Sequence, residues 1–235
     1  MDKTHHQIQL RLQAMADLDL AEKGQRFFKE PVRMYGTKTA DIRKMGKRIF
    51  GELDNCSKQT IFDLCEMLWQ SGYMEESFIA CFFAESLSDQ YQPEDLFIFE
   101  QWIDRYVTNW ASCDTLCNHS VGMLLEAYPD LIESVKTWTM SANRWKKRAA
   151  AVSLILPARK GLFLYDIFEI ADHLLLDTDD MVQKGYGWML KAAADAHQEA
   201  VFNYVISKKA VMPRTALRYA IEKMPVELKK EAMKK

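Results

Sequence analysis

The sequence has few of the residues that break regular structure. It contains 9 glycines and 6 prolines in 235 residues, whereas average usage of roughly 7% and 5% gives about 28 in a chain of this length. This scarcity excludes a collagenous, linker-like or turn-rich β protein. With 49% hydrophobic and 27% charged residues, the chain can bury a sizeable core.

Long uncharged runs are also absent. The longest stretch without Lys, Arg, Asp or Glu runs from Thr115 to Leu125, whereas a membrane span needs roughly 18 apolar residues. The N-terminal segment lacks the apolar core of a secretory signal. The five cysteines are an odd set without the spacing of a disulfide scaffold. We therefore expect no membrane partner, reduced thiols and a cytoplasmic location.

The two ends of the sequence are basic and the middle is acidic. Residues 1–48 hold 11 basic and 6 acidic side chains, residues 49–140 hold 3 and 16, and residues 141–235 hold 17 and 11. The net charge is only −2. Such a distribution suits an anion bound by the two ends. The plainer interpretation is that these charges coat solvated helix faces.

Apolar residues recur with the period of an α-helix almost everywhere. Ile61, Leu64, Cys65, Leu68 and Trp69 stand at i, i+3, i+4, i+7 and i+8, which is the spacing of one buried helical face. No run of roughly four to eight alternating β-branched residues predicts a strand. We therefore predict an all-α chain.

The predicted helices form pairs that repeat along the chain. The second helices are predicted to begin near Tyr73, Trp110, Asn143, Asp179 and Pro213. An interval near 35 residues with two helices per unit is typical of HEAT repeats, whose stacking curves the array into a superhelix. We therefore expect a right-handed superhelical solenoid of HEAT-like repeats (an α-α superhelix). An irregular helical bundle is the alternative.

No segment has the composition of an interdomain linker, so we expect one domain over residues 1–235. N-terminal helices over 1–54 are expected to cap the array, and paired helices to cover about 57–224. A basic tail is expected over 225–235, with the run Lys229–Lys235 solvated. We also expect a monomer.

One position of the repeat carries a charged residue in four successive units. These residues are Asp114, Arg148, Lys184 and Arg218, and four residues before them stand Trp110, Arg144, Asp180 and Arg214. Residues four apart share a helix face, so the pairs would line one concave surface of a solenoid. Cations spaced along a curved surface suit a phosphate backbone. Ordinary solvated pairs are the alternative, and recurrence in register favours the binding surface.

Five segments of the sequence resemble a known family. They are Tyr35–Arg43, Asn109–Asp114, Asn143–Ala150, Lys184–Leu190 and Pro213–Lys223. Their order and spacing resemble the bacterial DNA alkylation repair family, the AlkD-type alkylpurine DNA glycosylases, which are built from HEAT-like repeats. The first segment resembles that family's Gly-x-x-Thr-Pro-x-x-Arg, with Ala40 where proline is usual. The resemblance covers nearly the whole chain.

The resemblance implies a glycosylase that hydrolyses the N-glycosidic bond of cationic purines, such as 3-methyladenine and 7-methylguanine, in double-stranded DNA. In that family a Trp, an Asp and a second Trp surround the lesioned nucleotide, and an Arg binds the backbone. Matched by motif, these residues are Trp110, Asp114, Trp188 and Arg148. The other candidates for backbone binding are Arg144, Lys184, Arg214 and Arg218.

The residue types suit this chemistry without the family. A cationic purine leaves without a general acid, and the sugar becomes oxocarbenium-like, as in glycoside hydrolysis. The Asp114 carboxylate would stabilise that cation and position water. Indole faces would add about 0.5–2 kcal/mol each through cation–π attraction. The planar fork of Arg148 suits two phosphate oxygens.

Several positions depart from that family and keep other functions open. Lys191-Ala192 stand where active members tend to have Arg-Glu, and Phe27 and Lys38 stand where a hydroxylated aromatic and an amide are common. Some members bind branched or distorted DNA and have no glycosylase activity. A catalytically silent DNA-binding protein is therefore one alternative, and a protein-binding helical scaffold is another.

The remaining candidates are expected to be structural. Cys113, Cys117 and His119 are spaced for a metal, but a closed zinc site needs four ligands. We expect buried thiols there, with no metal and no cofactor. Gly187, like Gly185, is expected to allow close approach of a helix or of a DNA backbone.

The tryptophans are expected to divide into two classes. Trp69, Trp102 and Trp138 occupy apolar stripes and are predicted to be core residues. Trp110 and Trp188 are predicted to be partly exposed.

Overall fold

The computed structural model describes residues 2–53 and 56–234. Regular elements in these ranges are helical, and the described residues contain no β-strand beyond one isolated bridge. The predicted all-α class is therefore confirmed. Of the predicted cap over 1–54 and tail over 225–235, Met1, Asp54 and Lys235 lie outside the described ranges, as does Asn55 between the cap and the repeats.

The chain divides into two compact units, Met1–Leu116 and Cys117–Lys235. The single domain expected over 1–235, with its paired helices over 57–224, stays a prediction. The α-helices of the first unit are α1 (Asp2–Ala14), α2 (Leu18–Gln25), α3 (Thr39–Gly51), α4 (Lys58–Gln70), α5 (Met74–Glu85), α6 (Asp95–Tyr106) and α7 (Trp110–Leu116).

The second unit begins with a π-helical turn at Cys117–Val121. Its α-helices are α8 (Gly122–Ala127), α9 (Ile132–Thr137), α10 (Arg144–Val152), α11 (Ile155–Arg159), α12 (Leu164–Leu174), α13 (Asp180–Lys208), α14 (Arg214–Ala220) and α15 (Val226–Met233). The long helix α13 contains a kink at His197, whose backbone is not helical.

The predicted starts of the second helices are confirmed. The residues at or directly before these starts are Tyr73, Trp110, Asn143, Asp179 and Pro213. Side chains fix three of them: the backbone N–H of Trp145 donates to Asn143 at 2.9 Å, that of Met181 to Asp179 at 2.8 Å, and that of Ser112 to Asn109 at 2.9 Å. Each such cap stabilises a helix by about 1 kcal/mol.

The spacing between the second helices also holds for α3, which lies closer to the N-terminus. α3 follows Lys38, which lies 35 residues before Tyr73. Sequence analysis did not assign this helix to the repeat, because the starts that it compared begin at Tyr73. In the first unit α3, α5 and α7 pack side by side in that order, and in the second unit α10, α13 and α14 do so.

The tryptophans divide as predicted. Trp69, Trp102 and Trp138 are only 3%, 1% and 1% exposed, whereas Trp110 and Trp188 are half-buried. The stripe positions therefore point into the core, whereas Trp110 and Trp188 reach the surface.

Two buried carboxylates in the first turn of α5 hold the segment that precedes α3. Glu75 accepts the backbone N–H groups of Tyr35, Gly36 and Thr37 at 3.0, 2.8 and 3.1 Å. Glu76 accepts the phenolic O–H of Tyr35 at 2.8 Å. Burial, aided by this hydrogen bond, raises the pKa of Tyr35 above its ordinary value, so the phenol stays a donor at neutral pH.

Glycine is required within this segment. Gly36 has a φ of +83°, and a Cβ there would lie 1.9 Å from the carbonyl oxygen of Asp17. Only glycine tolerates both the left-handed backbone and this contact. The start of α3 is therefore fixed by backbone hydrogen bonds to Glu75 and not by a side-chain cap.

The predicted basic tail packs onto the second unit. Most of it forms α15, which contacts α13, and Ala232 is fully buried. The Nζ of Lys209 donates to the carbonyl of Glu231 at 3.3 Å. The tail is therefore helical and packed at Ala232, while Val226, Glu227, Lys230 and Glu231 are exposed to solvent.

α13 and α14 approach each other closely at Gly187. A Cβ at this position would lie 2.7 Å from the Cβ of Tyr219 and 2.8 Å from the carbonyl oxygen of Ala216. The close helix approach expected of this glycine is confirmed. Any larger residue has to push the two helices apart.

Replacing Gly187 by Ala should lower the free energy of unfolding by about 1–3 kcal/mol, the usual cost of overpacking. Gly51→Ala is the matched control, because a Cβ at Gly51, in the last turn of α3, meets no atom within 4 Å. That change should be neutral or stabilise the protein by up to about 1 kcal/mol. Urea unfolding of the two variants measures both effects, and equal stabilities would contradict the close contact.

Candidate nucleic-acid interface

The residues singled out by their register occupy equivalent positions on the four helices α7, α10, α13 and α14, and α3 adds a fifth such pair. Each second helix presents its first and fifth residues after the start, and we call these two residues a slot pair. The slot pairs are Thr39 and Arg43 on α3, Trp110 and Asp114 on α7, Arg144 and Arg148 on α10, Asp180 and Lys184 on α13, and Arg214 and Arg218 on α14. The slot pair of α5 is apolar, namely Met74 and Phe78.

Buried polar contacts fix the position of α7. The backbone N–H of Ser112 donates to Asn109 Oδ1 at 2.9 Å, which caps the helix. The hydroxyl of Ser112 also lies 2.8 Å from that of Ser77 on α5. Ser112, Ser77 and Asn109 are all buried, so these bonds hold α7 in register with α5.

Trp110 belongs to an aromatic cluster at the surface of the first unit. Its ring stacks on Phe28, with centroids 5.3 Å apart and planes inclined by 23°. Its indole N–H donates to the carbonyl of Phe27 at 3.3 Å, and the side chain of Phe27 is 75% exposed. The segment after α2 therefore orients the indole while leaving aromatic surface open to solvent.

Asp114 lies one turn after Trp110 on the same helix face and is half-buried. Among the slot residues of the first unit it is the one carboxylate, and α3 contributes the cation Arg43. Arg43 is largely exposed, with its guanidinium 3.8 Å from Glu85. Indole and carboxylate therefore lie together on a single turn of α7.

Arg144 joins α10 to the start of α13. Its Nε lies 2.8 Å from Asp179 Oδ2, and its Nη2 donates to Oδ1 at 3.0 Å. The guanidinium also lies 5.0 Å from the ring centroid of Trp145. Because Asp179 caps α13, this ion pair fixes the register of the two helices, and 31% of the Arg144 side chain remains exposed.

Arg148 lies inside the second unit. The residue is only 5% exposed, and its Nη1 donates to the carbonyl of Met181 on α13 at 2.5 Å. The structure thus departs from the expectation that Arg148 lies on the binding surface. The reason is that α10 and α13 pack so closely that the fifth residue of α10 points between them.

The slot residues of α13 and α14 lie nearer to solvent. Lys184 and Asp180 form an ion pair at 3.1 Å, with side chains about one-third exposed. Trp188 follows one turn later and is half-buried. Arg214 and Arg218 on α14 are exposed. The second unit therefore presents cations from three adjacent helices, with an indole beside them.

The described residues contain no group of three or more His, Cys, Asp or Glu that would hold a metal ion. Cys113 and Cys117 are fully buried thiols, as expected of core residues. Within the described part of the chain, no helix is both long and apolar enough to cross a membrane.

Sequence analysis missed two residues of this surface. Phe28 was overlooked because its partner Trp110 lies 82 positions away in the sequence, and no local pattern indicates that contact. Its adjacency to Phe27 in an otherwise polar segment is the only available signal. Arg43 was overlooked as a slot residue because α3 was not assigned to the repeat.

Comparisons with known proteins agree with this arrangement. The family described as DNA alkylation repair enzyme matches residues 8–224. Among solved structures, a protein described as a predicted DNA alkylation repair enzyme from Enterococcus faecalis superposes with a TM-score of 0.80 at 15% identity, over 90% of this chain and 98% of that chain. No curated protein matches by sequence. Because the family match spans most of the chain, the protein belongs to the DNA alkylation repair enzyme family.

Proposed function

We propose that the protein is a DNA glycosylase that releases cationic alkylated purines, such as 3-methyladenine and 7-methylguanine, from double-stranded DNA. The observation that carries this proposal is the pairing of Trp110 and Asp114 on one turn of α7, with the indole oriented by Phe28. An aromatic face and a carboxylate at one place suit a transition state with positive charge.

The reaction needs little from the protein beyond charge stabilisation. The alkylated base is already cationic, so the N-glycosidic bond breaks with its electron pair leaving on the base, which departs neutral. The positive charge then lies on the sugar, as in other glycoside hydrolyses. Water adds to the sugar carbon and loses a proton, which leaves an abasic site. No cofactor or metal is required.

In this scheme Asp114 stabilises the sugar cation and orients the attacking water. A carboxylate facing a phosphate backbone weakens DNA binding, so binding alone gives no reason for this residue. Trp110 offers its indole to the cationic nucleotide, an attraction of about 0.5–2 kcal/mol. The stacking on Phe28 orders the indole before DNA arrives, which lowers the entropy cost of the contact.

Trp188 is proposed as the second indole, on the support of its motif and its half-buried position on α13. For the DNA backbone, the exposed Arg214 and Arg218 and the partly exposed Arg144 and Lys184 are the direct ligands. Arg148 is proposed to support this surface from below, because it ties α10 to α13 at Met181.

A catalytically silent DNA-binding protein is the second candidate, and the region after Trp188 favours it. Lys191 forms an ion pair with Glu222 at 2.8 Å and lies over Tyr219. Ala192, where active members of the family tend to have Glu, is 1% exposed and carries no polar group. This candidate keeps the basic surface and predicts no base release.

Asp114→Asn should lower the release of 7-methylguanine from a defined duplex by roughly 100-fold or more, the scale of losing one preorganised electrostatic group. DNA affinity should stay equal or become slightly tighter, because one anion near the backbone is gone. Single-turnover release and duplex binding, measured in parallel, check both expectations.

The matched control is Asp63→Asn, the same chemical change at an exposed position of α4, which should leave release unchanged. Equal release by wild type and Asp114→Asn would remove this carboxylate from the mechanism. No release by wild type, with DNA binding intact, would support the silent DNA-binding protein.

Replacing Arg214 or Arg218 by Ala should weaken binding to all DNA sequences alike. Each lost phosphate contact should flatten the dependence of log affinity on log salt by about one unit. The control is Arg105→Ala, an exposed residue of α6, with no expected change of slope. Unchanged slopes in both α14 variants would overturn their assignment, and salt-independent DNA binding by wild type would favour the protein-binding scaffold.

Trp188→Ala should reduce base release while leaving the fold largely intact. Trp102→Ala, a core substitution, should lower the free energy of unfolding by about 3–5 kcal/mol. Trp188→Ala should lower it by less than about half as much, because the residue is half-buried. Chemical denaturation of both variants measures the difference, and equal destabilisation would make Trp188 a core residue.

A further inference from the structure

A cavity of about 400 Å³ lies between the end of α1 and one face of α3, within the first unit. Its volume falls in the range of small-molecule sites, roughly 300–1,000 Å³. The lining residues are Arg11, Ala14, Met15, Asp41, Lys44, Met45 and Arg48. None of them belongs to a slot pair, so the cavity lies outside the proposed DNA surface.

Three of the lining residues are cations and one is an anion. Arg11 is half-buried, and its Nη1 is buried with no hydrogen-bond partner among the described residues. Lys44 and Arg48 are exposed and form no ion pair within the described chain, not even with Asp41. A buried guanidinium nitrogen without a hydrogen-bond partner is destabilising, and an anionic ligand would remove that cost.

The rest of the cavity is apolar. Ala14, Met15 and Met45 form its floor, and Met45 is buried. Methionine sulfur makes favourable contacts with aromatic rings and adapts to flat ligands. The carboxylate of Asp41 can accept a hydrogen bond from an exocyclic amino group. Cations beside an apolar, sulfur-rich floor suit a phosphate attached to a planar base.

We propose that this cavity binds the 5′-phosphomonoester of a nucleotide. The guanidinium groups of Arg11 and Arg48 and the ammonium of Lys44 hold the phosphate, because charge-assisted and bidentate bonds suit its oxygens. The base lies on Met15 and Met45. The same chemistry comes from two sources, a free nucleotide or the phosphorylated end of a DNA strand.

The test is calorimetric titration of the full chain with deoxyadenosine 5′-monophosphate, deoxyadenosine and inorganic phosphate. The nucleotide should bind at least about tenfold more tightly than either fragment, because it alone makes both kinds of contact. Arg48→Ala should weaken its binding roughly tenfold or more. Lys47→Ala removes an exposed cation of α3 that does not line the cavity, and it should leave affinity unchanged.

Thermal melting shows whether both variants are folded, so that their affinities can be compared. Lys44→Gln is a second variant of the cavity lining. A short duplex with a 5′-phosphate, compared with the 5′-hydroxyl duplex, separates the two sources: tighter binding of the phosphorylated duplex that Arg48→Ala abolishes identifies a DNA end. No saturable nucleotide binding up to about 5 mM would overturn the proposal. Equal affinity for the nucleotide and the nucleoside would also overturn it. So would a loss of nucleotide affinity in Lys47→Ala equal to that in Arg48→Ala. None of these readouts depends on base release.

Discussion

The starts of successive second helices are separated by a nearly constant number of residues. Tight contacts between neighbouring second helices keep them in this register. Where α13 meets α14, Gly187 leaves no room for a side chain. Where α10 meets α13, Arg144 forms an ion pair with the cap residue Asp179. In the first unit, the hydroxyl groups of Ser77 and Ser112 lie within hydrogen-bond distance and hold α5 and α7 in register. Within each unit, these contacts keep equal positions of the successive helices equivalent.

Because the register puts the slot pairs at equivalent positions, these few residues determine the charge of the proposed surface. Most slot residues that carry charge are cations, as a phosphate-binding surface requires. Asp114 is placed beside Trp110 at a position where the second unit has arginine or lysine. In the proposed mechanism, this one slot pair changes the local chemistry from anion binding to stabilisation of a cation.

Much of this arrangement was predictable from the sequence, because helix periodicity and capping residues are local signals. The starts at Asn143 and Asp179 follow from their capping side chains. Burial of Arg148 was not predictable, since it depends on how closely α10 approaches α13. The hydrogen bond from Gly36 to Glu75 joins residues 39 positions apart, and the stacking of Phe28 on Trp110 joins residues 82 positions apart. Spacing within one helix carries no information about such contacts.

The central proposal is that the protein releases cationic bases by stabilising the sugar cation that remains, without acid catalysis. It is tested most directly by comparing the release of 7-methylguanine, a cationic base, with that of hypoxanthine, a neutral base, from duplexes of otherwise identical sequence. The account predicts release of 7-methylguanine, an abasic site in its place, and no release of hypoxanthine above the uncatalysed rate. Comparable release of both bases, or retention of 7-methylguanine, would contradict it.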